Sequence, residues 1–124
     1  MFQIASYETF QDGQIIFQEG THGDWIYLIE EGSVEISKKM RGRRVVIEIL
    51  PRGEIFGEMA FISKMPRTAT ATAIGETTVG IIDRDYYDHE FNKMPDDFRQ
   101  VFNTVATRLK KATDAVIAAA TGEE

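Results

Sequence analysis

The sequence predicts a mainly β protein with helices, an α+β chain whose sheet-forming body is followed by a helical end. Short runs rich in β-branched and aromatic residues fill the stretch from about residue 7 to residue 83, and glycine-bearing turns separate them. After Asp83 the pattern changes period and leads into a long glycine-free segment reaching Ala120. Several short strands with regular turn signals are the mark of a sandwich or barrel.

Taken in order, residues 1–6 form a lead-in, and the run 15–17 enters a turn carrying Gly20 and Gly23. Residues 25–29 make the next strand, which Gly32 is expected to stop. Residues 34–37 and 45–50 flank Gly42 as a hairpin, and strands over 68–74 and 77–83 complete the body at 7–83. Val34 with Ile36, and Ile47 with Ile49, alternate in the way that turns one face of a sheet toward a core. Trp25 and the phenylalanines are expected in that core. A short helix follows over 84–94, Pro95 breaks it, and a long helix runs over 95–120 with Asp96 and Asp97 in its first turn, where the helix dipole favours acids. Phe98, Phe102, Val105, Leu109, Ala112 and Val116 are spaced four, three, four, three and four apart, a heptad seam. Such a stripe either covers the domain's own sheet or pairs two copies as a homodimer, and both readings stand at this point.

The 124 residues suit one hydrophobic core, and no linker or repeat divides them, so residues 1–124 are read as a single domain. A net charge of -6 argues against general nucleic-acid binding, which draws on lysines and arginines that neutralise phosphates. No apolar run is long enough to cross a bilayer and no secretion signal is visible, which predicts a cytoplasmic protein without a membrane partner. With no cysteine and with His22 and His89 isolated, neither a metal site nor the clustered histidines of a cupin-type enzyme is expected. The basic run Lys38, Lys39, Arg41, Arg43 and Arg44 falls at the hairpin tip and reads as solvated charge that protects strand edges, in preference to a surface for an acidic partner.

The segment with chemistry in it is Gly57-Glu58-Met59-Ala60-Phe61, followed after five residues by Arg67-Thr68-Ala69-Thr70. Gly57 permits close backbone approach, and a short helix over 58–63 would present its first free N–H groups to phosphate oxygens. Pro66 ends that helix, and the Arg67 guanidinium offers a rigid fork of donors that matches two phosphate oxygens and cancels their charge. Thr68 adds a hydroxyl. A phosphate alone is repelled by the Glu58 carboxylate, so the pair of Glu58 with Arg67 specifies a ligand that also donates a hydroxyl, a sugar phosphate.

These residues resemble the phosphate-binding cassette of cyclic-nucleotide-binding domains, the family of catabolite activator protein, protein kinase A regulatory subunits and cyclic-nucleotide-gated channels. Residues 56–60 and 67–69 meet the cassette pattern, and Gly20, Gly23 and Gly32 around residues 26–29 meet a second pattern upstream; Phe17 and Phe61 depart from it, at places where aliphatic residues are commoner. The resemblance implies an antiparallel double-stranded β-roll, jelly-roll-like, with an embedded cassette helix and a long C-terminal helix. It implies that Arg67 binds the cyclic phosphate with Thr68 beside it, that Glu58 accepts from the ribose 2′-hydroxyl, and that the backbone of Gly57, Glu58, Met59 and Ala60 donates to ligand oxygens. Ile36 and Ile47 would line the base pocket. Arg108 and Thr113 would approach the base from the long helix, Thr113 from the chain itself or from a partner subunit.

The expectation is therefore a stand-alone sensor of cAMP or cGMP, without cofactor or metal and without enzymatic activity, since no nucleophile and base lie together near the cassette. Ligand binding would reposition the C-terminal helix, with Phe61, Phe91 and Phe102 as hinges, to signal to a protein partner or through a homodimer. After the long helix only residues 121–124 remain, so no DNA-reading element is expected. The rival reading is an interaction module of the same fold that has given up the nucleotide.

Overall fold

Alternating burial along two long strands organises the molecule. The computed structural model of the chain describes residues 2–23, 25–59 and 66–121. Its sheet comprises β1 (Ile4–Phe10), β2 (Ile15–Phe17), β3 (Tyr27–Met40), β4 (Arg43–Leu50), β5 (Ile55–Phe56) and β6 (Thr70–Ile82). The spatial order is β1-β6-β3-β4, every pairing is antiparallel, and β2 and β5 add short pairings to β6 and β3. Helices α1 (Arg84–Asn92) and α2 (Asp96–Thr121) follow. The core gathers Phe10, Tyr27, Ile29, Val34, Phe56, Ala71, Ala73 and Val79, mostly from alternate positions of β3 and β6. The small alanines of β6 let the ring stack of Tyr27 on Phe56, with centroids 5.0 Å apart, fill the layer above them.

The β-roll with its long terminal helix is the architecture expected, with four corrections to its elements. Part of the 1–6 lead-in is strand, because β1 starts at Ile4, where it pairs with Ile82. Gly32 does not stop a strand: β3 runs through it, and the glycine, at φ +87°, carries a register irregularity between Glu31 and Ser33. The runs expected over 68–74 and 77–83 are likewise one strand, β6, whose partner on β3 jumps from Ser33 opposite Ile74 to Glu31 opposite Thr78 as Gly75 and Glu76 bulge out. A glycine at positive φ inside a strand pattern thus signals a bulge as readily as an end. The fourth is β5, a short pairing that the sequence reading did not contain.

The hairpin at Gly42 is built as expected, with Arg41 at φ 54° and Gly42 at φ 74° forming the two-residue turn that matches strand twist. Its strand β4 turns only part of its apolar residues inward, however: Leu50 packs against the core and Ile47 opens onto a cavity, whereas Ile49 is exposed. Trp25 is also outside the core, 48% exposed at the approach to β3. Asp83 caps α1, its carboxylate accepting from the Tyr86 N–H at 3.2 Å. Neither described helix is long and apolar enough to cross a membrane.

Most of the heptad seam of α2 faces away from the sheet. Phe98, Phe102, Val105 and Val116 are between 48% and 68% exposed, whereas Ala106 is buried and Leu109, though half-exposed, lines the cavity toward the sheet. The reading in which the whole stripe covers the domain's own sheet is therefore corrected: toward the sheet α2 turns the offset series Ala106, Leu109, Lys110, Thr113 and Asp114, and only Leu109 of these belongs to the seam.

Candidate functional site

A cavity of about 450 Å³ lies between the sheet and α2. Its sheet wall is apolar, from Phe17, Ile36, Ile47, Leu50 and Phe56. Gly57, Glu58, Met59, Arg67, Thr68 and Ala69 form one end, and Leu109, Lys110, Thr113 and Asp114 of α2 close it from the other side. A mostly apolar concavity with a few convergent polar groups is the usual form of a small-molecule site.

Arg67 is the most strongly fixed residue in it, 4% exposed despite its charge. Its main chain is gripped by the glycine turn after β2, for the Gly20 N–H donates to the Arg67 carbonyl and the Arg67 N–H donates to the Thr21 carbonyl, both at 2.8 Å. Its guanidinium donates to the carbonyls of Gly57 and Trp25, each at 3.0 Å, and lies 4.2 Å above the centre of the Phe17 ring. A carbon added at Gly57, which sits at φ +85°, would stand 2.7 Å from that guanidinium and 3.0 Å from the Trp25 carbonyl; one added at Gly23 would meet the guanidinium at 3.3 Å. Gly23 of the upstream pattern and Gly57 of the cassette thus flank the same guanidinium, and at Gly57 only a hydrogen side chain leaves it room. Burial pushes the Tyr27 phenol above its ordinary pKa beside this cluster; the Arg67 charge lowers it in part, and Glu8 raises it further.

The expected site residues divide cleanly by position. Gly57, Glu58, Met59, Arg67, Thr68, Ile36, Ile47 and Thr113 all line the cavity, and Glu58 and Met59 are helical, as the cassette pattern expects. Thr113 reaches it from this chain's own α2. Ala60 and Phe61 lie outside the described residues. Arg108 is the exception. It borders a separate groove with Phe91, Arg99 and Lys111, because the turn of the helix that aims Leu109 and Thr113 at the cavity rotates Arg108 away. Phe91 borders that same groove, and Phe102 is exposed on the seam.

Lys38 was missed. Read as part of a solvated run, it is 7% exposed and lines the cavity, donating to the Thr68 carbonyl at 2.7 Å and pairing with Asp114 at 2.9 Å and Glu19 at 3.7 Å. The signal was the alternation of Val34 and Ile36, which continues to position 38 on the same inward face. Asp114 also accepts from Lys110 at 2.7 Å. Burial pushes the Asp114 carboxyl up, but Lys110 and Lys38 outweigh it and hold it below the usual carboxylate range. Among the described residues no group of three or more His, Asp or Glu side chains is placed to hold a metal ion.

Comparison with known proteins places the chain in a family. The family model described as a cyclic nucleotide-binding domain matches residues 7–93. The chain is 31% identical over 106 residues to a CRP-like cAMP-activated global transcriptional regulator of Mycobacterium tuberculosis, a match that takes in 85% of this chain and 47% of that protein. It is 42% identical over 81 residues to a cGMP-dependent protein kinase of Eimeria tenella, covering 65% of this chain and 8% of the kinase. Among solved structures, the EAL enzyme Bd1971 in its cAMP- and cyclic-di-GMP-bound form superposes with a TM-score of 0.84 at 29% identity, over 92% of this chain and 30% of that one. The chain spans half or less of each of these proteins. Its sequence match over the sheet and α1, together with the shared fold, makes it a member of the cyclic-nucleotide-binding domain family.

Proposed function

We propose that the chain is a sensor that takes cAMP or cGMP into the cavity between the sheet and α2 and signals through that helix. The observation that carries this reading is the convergence of Glu58, Arg67 and Thr68 at one end of a cavity whose sheet wall is apolar. The cyclic phosphate lies at Arg67 and Thr68, where charge and donors converge; the ribose hydroxyl donates to Glu58; the base lies over Ile36 and Ile47 with Thr113 above it. Since the Arg67 guanidinium is held by the Gly57 and Trp25 carbonyls, an arriving phosphate exchanges some of those hydrogen bonds for stronger charge-assisted ones. The energy of that exchange is realised at the cassette backbone, so the binding event reaches the chain's own geometry as well as its charge.

The role is binding rather than catalysis, in keeping with the regulatory proteins among its relatives. The names of those relatives include both cAMP and cGMP, and they supply no preference between the two. The output runs through α2, whose exposed seam of Phe98, Phe102, Val105 and Val116 is available to a second copy or to a protein partner. That same exposure favours a second reading, an interaction module in which the seam and not the cavity is the working surface.

Charge reversal separates the two readings. Arg67→Glu is expected to weaken cAMP and cGMP binding about a hundredfold or more, and Glu58→Ala roughly tenfold, as measured by calorimetric titration of folded protein. Affinity unchanged by Arg67→Glu would remove the cassette from the site.

A further inference from the structure

A lysine ammonium has to be compensated when it is withdrawn from water, and the partners that compensate Lys38 belong to three different parts of the fold. Thr68, whose carbonyl accepts from it, is the residue directly after Arg67, so this hydrogen bond fixes the Thr68–Ala69 peptide, one unit beyond the cassette arginine. Asp114 belongs to α2, and Glu19 belongs to the turn that grips the Arg67 main chain, where its other carboxylate oxygen accepts from the Lys39 N–H at 3.0 Å. Lys110, one helical turn before Asp114, shares that carboxylate. The charges balance, with Lys38 and Lys110 against Glu19 and Asp114.

We propose that Lys38 is a positioning residue that joins the cassette to the C-terminal helix, its ammonium holding the Thr68 carbonyl on one side and the Asp114 carboxylate on the other. Toward the cavity α2 presents the half-exposed Leu109 beside the polar Lys110, Thr113 and Asp114, with Ala106 buried one turn earlier. The ion pair is therefore one of the ties that dock this helix over the cavity. Because the same ammonium also holds the Thr68–Ala69 peptide, next to Arg67, a shift of the cassette is transmitted to α2 without a chain of packed side chains between them. The joint is made entirely by the protein's own residues. Only its use in signalling rests on the sensor reading.

Amide hydrogen exchange on the whole chain tests both parts separately. In the absence of nucleotide, Lys38→Met is expected to speed exchange about fivefold both in residues 109–119 and in residues 67–73, whereas Asp114→Asn speeds only the helix. The double variant is expected to match Lys38→Met in the helix, and Lys38→Arg, which keeps the charge, is expected to restore much of the protection. Asp114 is partly exposed on a helix, so Asp114→Asn folds even if Lys38→Met does not. A general loss of packing would not separate the two segments in this way. Additive effects of the two substitutions in the helix, or unchanged helix exchange in Asp114→Asn, would overturn the joint. With cAMP or cGMP added, the change in helix exchange seen in the wild type should shrink in Asp114→Asn; a change of full size would show that signalling bypasses the joint. If the wild type binds neither nucleotide, the sensor reading fails, and the ligand-free comparison still decides whether Lys38 ties the two elements together.

Discussion

The cavity has two walls of different construction. On the sheet side, Arg67 is held through its main chain by the Gly20–Thr21 turn, through its side chain by two carbonyls, and from below by the Phe17 ring. On the helix side, among the described residues of α2, Phe98, Phe102, Val105 and Val116 are largely exposed, and an ion pair from Asp114 to Lys38 is one of its ties to the sheet. One wall is held from several sides at once, and the other by few contacts among the described residues. The low-stability element of a binding protein is the one able to carry a signal, since a ligand shifts only an equilibrium that has two accessible positions.

If that contrast is right, substitutions in the sheet should be costly and those along the helix seam cheap. The largest effect is expected at Gly32. A carbon added there would lie 2.4 Å from the Thr77 hydroxyl and 2.6 Å from the Glu76 carbonyl, at a backbone φ of +87°. Gly32→Ala is therefore expected to destabilise the fold by about 3 kcal/mol or more, read from denaturant unfolding. A loss below about 1 kcal/mol would show that the sheet wall is softer than its geometry implies.

A smaller effect is expected from acid. Asp114 has a folded-state pKa below its unfolded value, so its contribution is present above the ordinary carboxylate range, about pH 4, and is lost as pH falls through the lowered value. Protection of residues 109–119 relative to Asp114→Asn should accordingly be constant between about pH 5 and pH 7 and decline only below about pH 4. A decline already at pH 6 would mean that another group holds the helix. The smallest effect belongs to the seam, where Val105→Ser should change monomer stability by less than about 0.5 kcal/mol because the side chain is 58% exposed. A larger change, growing with protein concentration, would show that the seam is buried between two copies and would sharpen the comparison by giving the helix a second support.

Much of this was legible in the sequence, and the failures have physical causes. The cassette residues stand out in the sequence because glycine, carboxylate and guanidinium at those spacings suggest one ligand chemistry, and the cavity has Glu58, Arg67 and Thr68 together in its lining. The hairpin at Gly42 was legible because a two-residue turn requires positive φ at both positions. The sequence expects an end at Gly32 and a gap between residues 74 and 77 because a glycine in a β-rich run looks the same whether the strand stops or bulges; pairing with a neighbouring strand decides, and that is long-range information. Lys38 was lost among basic neighbours, although its inward register was visible. Arg108 was placed by resemblance alone, and a rotation of one residue along α2 carried it to the other groove.

The central claim is that the cavity beside Arg67 binds a cyclic nucleotide, and calorimetric titration of the purified chain with cAMP and with cGMP tests it most directly. The account predicts saturable binding of at least one of them at micromolar concentration, equivalent to about -8 kcal/mol. No heat of binding from either at millimolar concentration would contradict it and leave the exposed seam of α2 as the working surface.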